Sequence, residues 1–277
     1  MPDLKLVEII PLFPLHGTIL LPGSVLPLHI FEARYRQMVE HILENDELMV
    51  GIIQPEAQDS KKLCNVGCAG TIAWHVNRGD KVHILIIAEG ATSRADTEEN
   101  QNLENELVNL KTSAEQASRI LGSNSLSFAG LPDNKLDTIP LLDIVKIIEK
   151  KSKAISPEIV YTHHSGDLNI DHKLVSQAVL TAFRPQPSST VKNIYAFETV
   201  SSTEWGNDPQ IFVPTRFVNI TNFLDKKREA LLCYSNEMRQ FPHVRSLEAV
   251  EALAKFRGAS VGLEAAEAFI VIREVIR

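Results

Sequence analysis

The chain has 277 residues, enough for one or two domains with a substantial core, and its formal net charge is -7 at pH 7. This acidic balance excludes the basic surface that is typical of proteins binding nucleic acid or anionic membranes. The sequence begins without a signal-peptide pattern, contains no apolar run of membrane-spanning length, and has three cysteines, so we expect a cytoplasmic protein without a membrane span.

The cysteines predict no zinc ribbon. Cys64 and Cys68 form a C-x3-C pattern, whereas Cys233 lies far away in sequence and has no second pair beside it. Zinc fingers and ribbons combine two such pairs. We therefore interpret the three as buried or incidental thiols.

Residues 8–31 are apolar and are repeatedly interrupted by proline and glycine, which excludes a long helix and predicts short strands with turns. A helix is predicted over residues 32–45 and a strand over residues 48–53, both from the spacing of their apolar side chains. Together these elements predict a small β-barrel with one helix.

From Gly70 onward, helical and strand patterns alternate. The predicted strands are 81–88, 126–128, 158–162, 191–197 and 212–220. The predicted helices are 71–76, 98–121, 141–155, 173–180, 224–234, 249–256 and 263–276. Strands that alternate with helices at these lengths indicate βαβ units, hence an α/β fold with a doubly wound, mostly parallel sheet.

The strongest functional signal is the segment 163–172, with the sequence His-His-Ser-Gly-Asp-Leu-Asn-Ile-Asp-His. It contains three imidazoles and two carboxylates between a predicted strand and a predicted helix, where α/β folds place their chemistry. Histidine is the commonest metal ligand, and a neighbouring carboxylate fixes its tautomer. The alternative is a polar loop in which Asp171 caps the helix, but that interpretation leaves three histidines unexplained.

Residues 10–35 resemble the N-terminal substrate-binding domain of Lon proteases. The resemblance rests on Ile-Pro-Leu-Phe-Pro-Leu at 10–15, Pro-Gly at 22–23 and Leu-Pro-Leu-His-Ile-Phe-Glu-Ala-Arg-Tyr at 26–35, and it continues to about residue 70. In that family the domain recognises polypeptide and has no catalytic residues. The resemblance therefore implies a polypeptide partner for a partial β-barrel segment over residues 1–66.

Residues 67–277 resemble the LmbE/PIG-L family of zinc-dependent N-acetyl-sugar deacetylases. Matching motifs occur in order at residues 67–73, 88–90, 93–94, 130–133, 162–172, 237–239 and 267–269. The resemblance implies a Rossmann-like fold, a hydrolase that removes the acetyl group of an N-acetylated amino sugar or glycoconjugate, and zinc as cofactor.

In that family two His and one Asp bind zinc, which activates a water molecule for attack on the amide. His172 matches a metal ligand, while Arg94 and Asp133 match residues that contact the sugar, as we also expect of His163. The position of a family acid is occupied by Asn169, whose amide cannot carry a proton, so His164 or His163 would have to assist. We accordingly expect catalytic roles for His164, Asn169 and Asp171.

The Ala-His-Pro-Asp-Asp-Glu motif, which supplies the other two ligands and the general base in that family, is absent. Residues 54–62 occupy its place, and there Glu56 or Asp59 would have to stand in. The chain is thus predicted to be either an impaired deacetylase or a non-catalytic peptide- and sugar-binding fusion. The two resemblances meet at residues 66–70, which suggests a junction of two genes, and residues 48–53 are predicted to replace the first strand of the deacetylase-like sheet.

Overall fold

A computed structural model describes residues 12–14, 51–53, 68–90, 100–187, 189–206 and 211–276. The chain divides into two compact units, Met1–Ser60 and Lys61–Arg277. No helix among the described residues is both long and apolar enough to cross a membrane.

The first unit contains two short parallel strands, β1 (Leu12–Pro14) and β2 (Gly51–Ile53), with Leu12 opposite Gly51. The strand predicted over residues 48–53 is thus confirmed at its carboxyl end. Its predicted place in the deacetylase-like sheet is wrong, because β2 pairs with β1 in a separate two-stranded sheet. The predicted helix over residues 32–45 lies outside the described residues, as does most of the predicted barrel.

The second unit alternates strands and helices. Its strands are β3 (His83–Ala88), β4 (Ser125–Leu131), β5 (Ile159–His163), β6 (Asn193–Phe197), β7 (Arg216–Asn219) and β8 (Ala266–Arg273). Its α-helices are α1 (Ala69–Asn77), α2 (Asn100–Leu121), α3 (Leu141–Ile155), α4 (Ile170–Ala182), α5 (Leu224–Leu232) and α6 (Leu247–Ala259). Short 3-10 helices occupy Leu136–Thr138, Thr203–Trp205 and Thr221–Phe223.

The strands form a parallel pair, β3–β4, and a four-stranded sheet in the order β5-β6-β8-β7. Strands β5 and β6 are parallel, whereas β8 is antiparallel to both of its neighbours. The predicted α/β class is confirmed, but the four-stranded sheet is mixed rather than mostly parallel. The difference arises at residues 263–276, where the predicted helix is wrong and β8 forms instead. A short apolar run fits a buried strand as well as a buried helix, and here β-branched residues at 270–272 and neighbours on both edges favour the strand.

The largest core cluster lies between α3, α4 and the strands beside them. It includes Ile144, Val145 and Ile148 on α3 and Ala178 and Val179 on α4, all buried. These side chains recur at helical spacing on both helices, as expected of amphipathic helices that cover a sheet. Their packing fixes α4 behind β5 and therefore positions the loop between them.

Helix α1 begins against the start of β8. The carboxylate of Glu267 accepts hydrogen bonds from the backbone N–H groups of Gly70 and Thr71, at 2.9 and 2.7 Å, and Lys227 Nζ lies 2.7 Å from the same carboxylate. Both charged side chains are buried, with 3% of Glu267 and 8% of Lys227 exposed. A carboxylate is well suited to a helix N-terminus, where unsatisfied N–H groups and the helix dipole favour negative charge.

Candidate functional site

The loop between β5 and α4 carries the histidine motif of residues 163–172. Strand β5 ends at His163, and α4 begins at Ile170 with Asn169 as its N-cap. The Asn169 side-chain carbonyl accepts hydrogen bonds from the N–H groups of Asp171 and His172, at 2.7 and 3.3 Å. The residue that caps the helix is therefore Asn169, and the alternative that assigned this role to Asp171 is wrong.

Asp167 holds the centre of this loop. Its side chain is completely buried, and its Oδ1 lies 3.0 Å from Nδ1 of His172, although the angle at the imidazole is too bent for a full hydrogen bond. The carboxylate also accepts hydrogen bonds from the hydroxyls of Ser202 and Thr203 and from the backbone N–H of Asn169. Burial by itself would raise the pKa of Asp167, but the contacts with His172 and the two hydroxyls outweigh it and lower this pKa to about 2. Asp167 is therefore an anion that orients the ring of His172.

The other two histidines lie beside this pair. The ring of His163 stacks on that of His172, with centroids 4.1 Å apart and planes 19° apart, and its centroid lies 4.7 Å from that of Phe197. Burial, reinforced by His172, holds the pKa of His163 well below its usual range, so this imidazole is neutral. His164 is also buried, and its ring meets the edge of Phe212 at 5.4 Å.

Asp171 ties the histidine loop to the segment that follows β4. Its carboxylate accepts hydrogen bonds from the backbone N–H groups of Asn134 and Leu136, at 2.7 and 3.0 Å. Asn169 Nδ2 donates to Asn134 Oδ1 over 2.8 Å, which adds a second link. Burial raises the pKa of Asp171, and the two backbone hydrogen bonds counteract that rise. Asp133 immediately precedes Asn134 in sequence, so it belongs to the loop after β4 that Asp171 contacts.

The structure thus brings together most of the predicted site residues. These are His163, His164, Asn169, Asp171 and His172, with Asp133 on the adjoining loop. Arg94 lies outside the described residues. The catalytic, substrate-binding and metal-binding roles assigned to all of them remain predictions.

Ser202 and Thr203 are site residues that the sequence alone did not reveal. They lie in the loop after β6, whose carboxyl end is at the same sheet edge as that of β5 because the two strands are parallel. A Ser-Ser-Thr run at residues 201–203, shortly after a predicted strand, was the available signal. The pairing of β6 with β5 is what brings these hydroxyls to the histidine loop.

The described residues do not by themselves fit a zinc ion. A carboxylate-oriented imidazole such as the Asp167–His172 pair is typical of zinc sites, but a catalytic site needs three protein ligands. Within residues 68–90, 100–187, 189–206 and 211–276, no group of three or more His, Cys, Asp or Glu side chains is placed to hold a metal. In this part of the chain, His172 is the ligand that the family resemblance identifies.

The family model that matches is "PIG-L: GlcNAc-PI de-N-acetylase", over residues 64–183. This range contains β3, β4, β5 and the whole histidine loop. No curated protein matches the chain by sequence.

Solved structures are similar to the chain in fold. One is an N,N'-diacetylchitobiose deacetylase from Pyrococcus horikoshii, with 18% identity, a TM-score of 0.59 and coverage of 89% of this chain and 94% of that one. The hydratase GalB from Pseudomonas putida KT2440 has 21% identity, a TM-score of 0.58 and coverage of 76% and 92%. The zinc-inhibited form of the teicoplanin deacetylase Orf2 has 13% identity, a TM-score of 0.56 and coverage of 76% and 94%. At these identities the likeness establishes the fold. Residues 64–183 thus match the PIG-L family model, and the chain has the α/β fold that these deacetylases share with the hydratase.

Proposed function

We propose that the chain is an LmbE/PIG-L-like hydrolase that acts on the N-acetyl group of amino sugars or their glycoconjugates. The observation that carries this proposal is the Asp167–His172 contact, which lies at the carboxyl end of a parallel strand inside the family match. The chitobiose and teicoplanin deacetylases support the same reaction class. Because a hydratase shares the fold, the fold alone does not identify the reaction, and the site and the family match support the proposal instead.

Amide hydrolysis requires a proton acceptor for the attacking water and a donor for the leaving amine. We assign these tasks to His164, and to His163 as a neutral imidazole beside it. For Asn169 and Asp171 the contacts support a positioning role, because both side chains are engaged in hydrogen bonds that shape the loop. A sugar bound at this edge would meet Asp133 and, by family resemblance, Arg94.

We further propose that activity is impaired, since the sequence lacks the His-Pro-Asp-Asp-Glu motif that supplies the remaining zinc ligands in this family. The metal is expected from the resemblance and from the zinc-inhibited neighbour. His172 is the residue that we assign to it.

A second candidate is a non-catalytic binding protein. In it, the sugar-binding edge is retained without turnover, and the Lon-like segment of residues 1–66 holds polypeptide. It is favoured by the lack of a three-ligand cluster within the described part of the chain.

Acetate release from N,N'-diacetylchitobiose, measured together with zinc content, tests the proposal. We expect slow turnover that falls at least about tenfold in His172→Ala, together with loss of bound zinc. His83→Ala is the matched control, because His83 is exposed on β3 and contacts Ser125. Absence of both turnover and zinc in the unsubstituted chain would favour the binding protein, and equal activity in both variants would contradict the assigned site.

A further inference from the structure

Trp205 is an exposed aromatic side chain beside the histidine loop. It is one of two tryptophans in the chain, and 55% of its surface is exposed. Trp74, in contrast, is half-buried and is covered by the guanidinium of Arg78, 4.6 Å from its ring centroid. An exposed indole on a segment next to a candidate site is a candidate binding surface, because it offers a large apolar face with a polar edge.

The segment that carries Trp205 is held against the centre of the site. Ser202 and Thr203, which precede it, both donate their hydroxyls to the buried Asp167, the latter over 2.6 Å. The backbone N–H of Trp205 donates to the backbone carbonyl of Ser202 over 3.2 Å and closes the 3-10 turn. The backbone of Trp205 is therefore linked, through a short turn, to the carboxylate that lies against His172.

Two further features fix this turn. The carboxylate of Glu204 accepts hydrogen bonds from the N–H groups of Ser201 and Ser202, at 2.6 and 3.1 Å. Ser201 adopts a φ of 70°, a left-handed conformation that non-glycine residues rarely hold without support. Such strained turns concentrate at ligand sites, where the surrounding contacts enforce one conformation.

The residue after Trp205 touches the backbone of the histidine loop. A Cβ placed on Gly206 would lie 2.0 Å from the carbonyl oxygen of Gly166, so only a glycine allows this approach. On the other side of that contact, Leu168 donates its N–H to the carbonyl of Ser202 over 3.3 Å and leaves 53% of its own surface exposed. Leu168 and Trp205 thus lie on two segments whose backbones are joined beside the buried polar cluster, and both expose apolar side chains.

We propose that Trp205 is the stacking platform for the apolar face of the amino-sugar ring. An indole offers a flat apolar surface with a polar N–H at its edge, which suits a ring whose faces carry C–H groups and whose rim carries hydroxyls. The turn holds the backbone of Trp205 in one conformation, so only the rotamer of the indole has to be ordered on binding. This inference rests on the proposed function and adds a specificity-determining residue outside residues 64–183, the range of the family match.

The test uses the full chain with Trp74→Phe, which leaves Trp205 as the sole tryptophan. Titration with N,N'-diacetylchitobiose should saturably change the emission of Trp205 and protect it from quenching by acrylamide. In the native background, we expect Trp205→Ala to weaken the Kd measured by calorimetry about three- to tenfold, and Trp205→Phe to retain binding within about twofold. Phe256→Ala is the control, because Phe256 is exposed to a similar extent as Trp205 (64% against 55%) but lies on α6.

The outcomes separate this proposal from the proposed function. Calorimetric binding of the disaccharide with unchanged Trp205 emission, and with an unchanged Kd in Trp205→Ala, overturns the stacking role and leaves the function intact. Absence of disaccharide binding by both methods overturns both. Thermal unfolding of each variant shows whether a weaker Kd arises from a lost platform or from a lost fold.

Discussion

The buried ion pair between Glu267 and Lys227 gives the sharpest stability prediction. Glu267→Gln keeps the shape of the side chain but removes the charge that balances Lys227 and that receives two N–H groups of α1. Breaking a buried ion pair by removing one partner typically costs about 3–5 kcal/mol, because the other charge stays desolvated. For a unit of this size, each kcal/mol corresponds to about 2–4 °C, so Tm should fall by about 6–20 °C.

Calorimetric unfolding of the full chain measures this effect. The matched control is Glu158→Gln, which removes an exposed pair with Lys192, whose side chains are 67% and 44% exposed. Exposed pairs contribute about 0–1 kcal/mol, so the control should hardly change Tm.

A double variant tests whether the unpaired charge of Lys227 causes the loss of stability. Combining Glu267→Gln with Lys227→Met removes the uncompensated charge, and we expect it to recover a substantial part of the lost Tm. If Glu267→Gln costs no more than Glu158→Gln, or if the double variant is less stable than Glu267→Gln, then the ion pair does not anchor the start of α1.

Two further predictions concern the thiols and the loop contact. Burial, reinforced by Glu267, raises the pKa of Cys68 to about 12, so at pH 8 about one thiol in ten thousand is ionised. Burial also raises the pKa of Cys233, and both cysteines are half-buried residues. We expect iodoacetamide to label Cys68 more slowly than Cys233, because its thiol is the less ionised; equal labelling of the two peptides in the native protein, by mass spectrometry, would contradict the raised pKa of Cys68. Gly206→Ala should cost about 1–3 kcal/mol and weaken sugar binding, because its methyl group would overlap the carbonyl of Gly166; an unchanged Tm would show that the two loops do not touch.

The sequence predicted the local elements well where their ends were chemically marked. Helix α3 was predicted with its observed limits, because Pro140 precedes it and the stripe of Ile144, Val145 and Ile148 defines its buried face. The prediction failed at β8, whose strand conformation depends on β6 and β7 on either side. Neighbours in a sheet are not encoded in the apolar spacing of one segment.

The candidate site divides in the same way. The histidine loop was recognised because its imidazoles and carboxylates are adjacent in sequence. Ser202 was not recognised from the sequence, because its contact with Asp167 joins loops that follow two different strands. Trp205 was not recognised either, because it comes to the site only through the turn that Ser202 begins. The contact between Ser202 and Asp167 exists only because β5 and β6 run parallel and end at one edge.

The polar residues of the histidine loop serve two separate purposes. Asn169 and Asp171 satisfy backbone N–H groups at the start of α4 and after β4, which is a folding task that a catalytic loop requires in order to hold one shape. Asp167 and His172 are also buried, and the Asp167 carboxylate joins the loop to the segment after β6 through Ser202 and Thr203 while lying against the His172 ring. In our proposal, the chemistry of the domain lies on this buried carboxylate and the imidazoles of His172, His163 and His164, and Asn169 and Asp171 have the task of holding the loop.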